Sequence, residues 1–335
     1  MTHYGAVLLD AEGYRLTPDE KALFREMDPF GFILFARNID TPDQVRALCA
    51  DFREAVGREA LITVDQEGGR VQRLRAPHWR EWTPALDFVL AAGAEAPRAM
   101  YLRNRLIAAE LCDVGIDSNC APLGDLATDA THPFLRNRCY GTDVETVVAL
   151  ARATAQAHLD GGVLPIVKHM PGHGRATVDS HAVPPRVDTD WETLRATDLA
   201  VFKALNDLPL GMTAHIEMTA VDDLPATLSA KTMQMIRDEI GFDGLIMTDD
   251  TGMKALAGTQ GEIAAQAIAA GCDVVLCCNA TLDDRRAAAE AAGRMSDVAQ
   301  ARADAALRLR KSPDDVDIAA ITADHEALMS GTGHG

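Results

Sequence analysis

Short apolar runs recur along the chain and alternate with longer amphipathic stretches. The runs are GAVLL (5–9), GFILF (31–35), LITVD (61–65), GIDSNCAP (115–122), GVLPIVKH (162–169), LPLGMTAH (208–215), GLIMTD (244–249) and GCDVVLC (271–277). In most of them valine, isoleucine and leucine follow one another without alternating polar positions, which predicts strands covered on both faces. Helical patterns lie between the runs. Residues 41–56 open with Thr41 as cap and Pro42 next, and residues 143–161 run amphipathically to a glycine stop. Residues 190–205 start from Asp190, and residues 261–271 are alanine-rich and end at Gly271. Eight strands with helices between most of them predict a single-domain α/β fold, a (β/α)8 TIM barrel over residues 1–310. Residues 311–335 are then a C-terminal helix and tail, with no second domain. A doubly wound open sheet competes on pattern alone.

The ends of the predicted strands carry the chemistry. LITV ends in Asp65, LPIV in Lys168 and His169, LGMTA in His215, and LIMT in Asp249 and Asp250. In a parallel barrel all C-terminal strand ends open on one face, where such folds build their sites. One polar strand end is an ordinary loop start; four at one rim point to a binding or catalytic centre.

The loops add more charge. DQEGGRVQRLR (65–75) has Gly68 and Gly69 for a tight turn with positive φ, followed by Arg70, Arg73 and Arg75. These are either ordinary surface arginines or a bidentate reader of carboxylate and hydroxyl oxygens. LRNRCYGTD (135–143) brings Arg136 and Arg138. KHMPGHGRATVDSH (168–181) packs three histidines and Asp179 among Pro171, Gly172 and Gly174, which predicts a loop above the barrel. His169, His173 and His181 with Asp179 could ligate zinc, although no HExxH or paired Cys/His spacing occurs. The alternative is a dyad. Asp179, two residues before His181, can hydrogen-bond one ring nitrogen and fix the tautomer, leaving the other nitrogen to give and take a proton. Asp249, at a buried strand end beside a basic rim, would stay ionised and can act as a nucleophile. Asp250 is then its orienting neighbour or a helix cap.

Composition narrows the partners. The 335-residue chain is 47% hydrophobic and 24% charged, with a formal net charge of −18. It has apolar residues for a sizeable core and a surface that repels nucleic acid and anionic membranes. No apolar run reaches the roughly 18 residues of a membrane span. The N-terminal residues lack a basic segment followed by a long apolar one, so no signal peptide is expected. Seven cysteines, without CxxC spacing, suit buried reduced thiols in a cytoplasmic protein.

The blocks VDQEGGRVQRLR, KHMPGHGRATVDSH and GLIMTDDTGM, with TAHI (213–216) and PATLS (225–229), occur in an order that resembles glycoside hydrolase family 3. Within it they resemble the single-domain β-N-acetylglucosaminidases of bacterial cell-wall recycling. The likeness runs from about GFILFARNI (31–39) to AGCDVVL (270–276), with Met170 where the family usually has phenylalanine. The resemblance implies the same barrel, Asp249 as nucleophile and His181 as acid/base backed by Asp179. It places sugar contacts on Asp65, Arg73, Arg138, Lys168, His169 and His215. It implies retaining hydrolysis of a terminal β-linked N-acetylglucosamine, with muropeptides containing N-acetylglucosamine–anhydro-N-acetylmuramic acid as the carbohydrate substrate. No metal and no cofactor are implied, and the expected protein is a cytoplasmic monomer or weak homo-oligomer. Relatives resembling β-glucosidases carry an acid/base glutamate on a second domain. With none expected here, the barrel must supply the proton donor, and loop 170–181 is the strong offer.

Overall fold

The computed structural model describes residues 3–177 and 185–331. Its parallel strands are β1 (Gly5–Leu9), β2 (Pro29–Leu34), β3 (Leu61–Val64), β4 (Ser118–Asn119), β5 (Leu164–Met170), β6 (Leu210–Thr213), β7 (Leu245–Met247) and β8 (Val275–Cys277). Every residue in them is buried. That is why the sequence shows continuous apolar runs: each strand packs side chains inward and also carries a layer of helices on its outer face.

The ladders form two four-stranded parallel sheets, ordered β8-β1-β2-β3 and β7-β6-β5-β4. The first strand pairs with the last, which an open doubly wound sheet does not do. The arrangement is TIM-barrel-like, but the continuous eight-stranded ladder expected from the sequence is interrupted at two seams. At both seams, side chains take the place of backbone carbonyls. Between β3 and β4, Asp117 Oδ1 accepts from Ile62 N (2.7 Å) and Asn119 Oδ1 from Gln66 N (3.0 Å). Between β7 and β8, Asp273 Oδ2 accepts from Ile246 N (2.8 Å) and Thr248 Oγ1 from Leu276 N (2.9 Å). The polar residues inside these runs therefore have a structural use that their hydrophobic pattern hid.

Local signals set the helix ends. Thr41 caps the helix Pro42–Val56, and Gly57 stops it at φ 67°. The predicted helix over 190–205 breaks at Thr197 into Trp191–Ala196 and Asp198–Lys203. The break turns the buried Asp198 toward Arg175, whose Nε donates to it at 2.6 Å. This holds the loop that follows β5. A small satellite core that includes Ala127, Leu135, Cys139 and Ala176 lies under the same loops. The C-terminal helix, Ile318–Met329, packs on the helix Ala96–Asp113.

One buried histidine makes the fold acid-sensitive. His158, on the helix Val144–Asp160, is fully buried. Its Nδ1 donates to the Thr154 carbonyl (2.8 Å), and Nε2 accepts from the Asn119 amide (2.9 Å). Burial pushes its pKa down to about 4. The unfolded chain takes up this proton below about pH 6.5, whereas the folded chain resists until about pH 4. Stability is therefore full above the unfolded value and falls as pH drops through that window, by about 3 kcal/mol for this group. Urea midpoints measured between pH 7 and 4.5 should fall steeply for the natural protein. The His158→Leu variant should be weaker at pH 7 but shallower in slope; equal slopes would assign the acid sensitivity elsewhere.

Candidate active site

The C-terminal ends of β3, β5 and β7 meet the loops after β4 around a cavity of about 370 Å³. This is within the roughly 300–1,000 Å³ of small-ligand sites. Asp65 leaves β3, and Gln66–Gly68 turns back on Val71–Gln72 as a short antiparallel hairpin. Gly68 has φ 107°, and a Cβ there would lie 2.0 Å from the Arg103 guanidinium, so the turn requires glycine. Gln66 Oε1 accepts from the backbone N–H of Arg73 (2.9 Å) and Leu74 (3.0 Å). This returns Arg73 over the strand end, where it donates to Asp65 Oδ2 at 2.9 Å.

β5 supplies the centre of the charge network. Lys168 is 2% exposed, and its ammonium donates to Asp65 (2.8 Å) and Glu67 (2.6 Å). Arg138, in the loop after β4, grips Glu67 with two hydrogen bonds, of 2.9 and 2.8 Å. His169 donates from Nδ1 to the fully buried Asp125 at 2.6 Å, and Asp125 also accepts the His173 N–H at 2.7 Å. Burial alone would raise all three carboxyls. Lys168 and Arg73 hold Asp65 far below the usual range, Arg138 and Lys168 hold Glu67 below it, and His169 holds Asp125 at about 2. The opposing cations Lys168 and Arg138 are pushed upward because their carboxylate partners outweigh burial. The result is a fixed, fully ionised cluster with polar atoms aimed at one cavity.

Asp249 faces that cluster from the end of β7 and lines the same cavity. Burial works against its ionisation. The His169 and His215 rings, the Asp250 N–H (2.8 Å to Oδ1) and the Lys168 ammonium outweigh burial and lower its pKa. Asp250 turns away: its carboxylate accepts from Gly252 N and Asn279 Nδ2, both at 2.8 Å. It is the orienting neighbour and not a helix cap, since Thr259 caps the next helix. An anionic oxygen on a rigid strand end, beside a hydrogen-bonding cradle of cavity size, is suited to attack on an electrophilic carbon of a polyhydroxylated ligand.

The chain matches the glycosyl hydrolase family 3 N terminal domain over residues 9–309. It belongs to glycoside hydrolase family 3. Among its relatives, a β-hexosaminidase of Tolumonas auensis is 37% identical over 283 residues, covering 82% of this chain and 83% of that one. The structure of NagZ from Neisseria gonorrhoeae in complex with N-trifluoroacetyl-D-glucosamine is 30% identical with a TM-score of 0.83, covering 99% of this chain and 98% of that one. A family 3 β-N-acetylglucosaminidase from Paenibacillus sp. str. FPU-7 is 31% identical with a TM-score of 0.81. The match covers 98% of this chain but only 62% of that longer one. The protein is a glycoside hydrolase.

Of the residues expected at this family 3 site, Asp65, Arg73, Arg138, Lys168, His169 and Asp249 converge on the cavity. His215 does not. It is 1% exposed; its Nε2 donates to the Asp250 carbonyl (2.9 Å) and its Nδ1 meets the Thr227 hydroxyl (2.8 Å). Burial lowers its pKa, and with both ring nitrogens engaged it braces the Asp249–Asp250 backbone from behind and does not line the cavity. Asp179 and His181 lie outside the described residues. Arg75 serves the hairpin, donating to the Gly69 carbonyl (2.7 Å) and Glu81 (2.8 Å), and Arg136 ties down the loop through the Thr128 carbonyl. Among the described residues, no group of three or more His, Cys, Asp or Glu side chains is arranged to hold a metal ion.

Three residues escaped the sequence reading: Glu67, Asp125 and Asn279. Glu67 was within reach, because it stands two positions after Asp65 in an extended segment and so shares its face. Asp125 was signalled only by a lone acid in the apolar stretch APLGDL. Glu67→Gln should cost on the order of 3 kcal/mol, because it leaves Lys168 and Arg138 buried with less negative charge. The same change should raise KM by roughly tenfold or more as the two cations lose their fixed positions. Urea unfolding and steady-state kinetics read both; an unchanged unfolding midpoint would refute the buried-pair account.

Proposed function

We propose that this chain is a retaining exo-β-N-acetylglucosaminidase. The observation that carries the reading is Asp249, ionised at the end of β7, facing the Asp65–Lys168–Glu67–Arg138 cluster across a cavity of about 370 Å³. The cavity is closed at the Lys168 end and open at the Arg70 and Asn279 end, which suits one terminal sugar with its leaving group at the mouth. The names of the relatives support the N-acetylhexosaminide class. The backbone hydrogen bonds Asp117 N to the Ile62 carbonyl (3.1 Å) and Thr248 N to the Val274 carbonyl (3.0 Å) bridge the seams and support one closed (β/α)8 barrel as the scaffold.

Asp249 attacks the anomeric carbon, and His181, backed by Asp179, protonates the departing oxygen. His181 then deprotonates the water that releases the sugar from the covalent intermediate. Lys168, Asp65, Arg138, Arg73 and His169 hold the sugar hydroxyls and the N-acetyl group. At the mouth, Arg70 stacks on the Phe134 ring at 3.9 Å. An exposed guanidinium there favours an anionic leaving group, as in N-acetylglucosamine–anhydro-N-acetylmuramic acid released in cytoplasmic peptidoglycan recycling. The test is proton NMR of the first sugar released from an aryl N-acetyl-β-glucosaminide, with and without phosphate. The β-anomer of free N-acetylglucosamine should appear before mutarotation. An α-anomer would make the enzyme inverting, and a sugar phosphate would make it a phosphorylase.

A further inference from the structure

We propose that Asn279 is a positioning residue for the nucleophile: its side-chain amide, oriented by charges behind the rim, locks Asp250, and Asp250 in turn locks Asp249. The inference rests on the reading of Asp249 as the attacking group.

Each backbone and carboxylate polar atom of Asp250 is held. Its N–H donates to Asp249 Oδ1 (2.8 Å), and its carbonyl accepts from His215 Nε2 (2.9 Å). Its two carboxylate oxygens accept from Gly252 N and Asn279 Nδ2, each at 2.8 Å. Two of these contacts come from other strand ends, His215 from just beyond β6 and Asn279 from just beyond β8, and the one from Asn279 holds the carboxylate. Asn279 itself has φ 54°, in the left-handed region that asparagine tolerates better than most residues. Its backbone N–H donates to Asp10 Oδ2 at 2.7 Å, and its Oδ1 accepts from Arg37 at 2.5 Å. Asp10, directly after β1, is fully buried; it also accepts from Arg285 Nε at 2.7 Å and from Arg37.

This circuit fixes the direction of the amide. A guanidinium only donates, so Arg37 must face the amide oxygen, and the NH2 group must face Asp250. The reversed amide would set donor against donor at Arg37 and oxygen against carboxylate at Asp250. Without the amide, the Asp250 carboxylate keeps its hydrogen bond from Gly252 N but loses its tie to the end of β8. Its peptide N–H would then hold Asp249 Oδ1 less firmly, and the attacking oxygen would lose part of its aim. A displacement of about 1 Å in a reacting group costs up to roughly 10²-fold in rate.

The test is Asn279→Gly, which keeps the left-handed backbone and the N–H bond to Asp10 and removes only the amide. With an aryl N-acetyl-β-glucosaminide, kcat should fall roughly 10–100-fold while KM stays within about threefold. Asn279→Asp, nearly isosteric but without the donor, should lose at least as much. Arg37→Gln should lower kcat less, and should add little in the Asn279→Gly background, because its route to Asp250 runs through that amide. It also serves as the independent variant if Asn279→Gly fails to fold. Unchanged kcat in Asn279→Gly, full activity in Asn279→Asp, a rise confined to KM, or strictly additive losses with Arg37→Gln would each overturn the proposal. Asp249→Ala in the same assay separates the two claims: activity there removes the nucleophile reading itself, whereas a dead Asp249→Ala beside a normal Asn279→Gly removes only the role of Asn279.

Discussion

Asp249→Ala should abolish turnover while leaving ligand binding nearly intact. The expected loss in kcat is roughly 10⁴-fold or more, the scale seen when a nucleophile that acts as part of a unit is removed. Binding should survive because the proposed sugar cradle comes from other strands: Asp65 from the end of β3, Lys168 and His169 from β5, and Arg138 from the loop after β4. Those groups are fixed by one another, through Lys168 to Asp65 and Glu67 and through Arg138 to Glu67, and none of those bonds passes through Asp249. Calorimetric titration with an N-acetylglucosamine-type inhibitor should therefore give a Kd within several-fold of the natural protein. A residual rate above about 1% would point to Asp250, which lines the same cavity.

His181→Ala is expected to cost roughly 10²–10⁴ in kcat/KM on substrates with poor leaving groups, the span of general acid–base catalysis. The loss should shrink for activated aryl glycosides, whose leaving oxygen departs without a proton. The physical reason is bond order: protonation matters most where negative charge builds on a basic oxygen in the transition state. Measuring the variant across a series of aryl leaving groups gives a slope, and the variant should be more sensitive to leaving-group pKa than the natural enzyme. Equal losses across the series would take the proton-donor role away from His181. On the proposed pairing of Asp179 with His181, Asp179→Asn should show the same pattern in weaker form.

Much of the rim was legible because strand ends announce themselves. A run such as LIMTDD or LPIVKH changes from apolar to ionisable at the point where the strand leaves its sheet, and parallel strands all leave on one face. Asp65, Lys168, His169 and Asp249 were found that way, and Arg73 and Arg138 came from loops dense in arginine. His215 obeyed the same rule and misled, because TAHI places its ring beneath the rim, where Thr227 and the Asp250 carbonyl occupy both nitrogens. A strand end reveals that a polar side chain is near the site; it does not reveal whether the ring faces the cavity or the wall. The seams between the two sheets were hidden for a related reason. Asp117, Asn119, Thr248 and Asp273 look like interruptions in apolar runs, yet their side chains stand in for backbone carbonyls in the ladder.

The sequence by itself determined the alternation of strands and helices, the cap at Thr41, the identity of the rim and the family, because each of these is written in local composition and spacing. Only the tertiary structure decided which charges neutralise which. Glu67 grips Arg138, Asp125 accepts from His169, and Asn279 reaches Asp250, through contacts spanning 71, 44 and 29 positions along the chain. Such pairs are selected by where β3, β4, β5, β7 and β8 bring their ends together, and a buried charge must find its partner there whatever the distance in sequence.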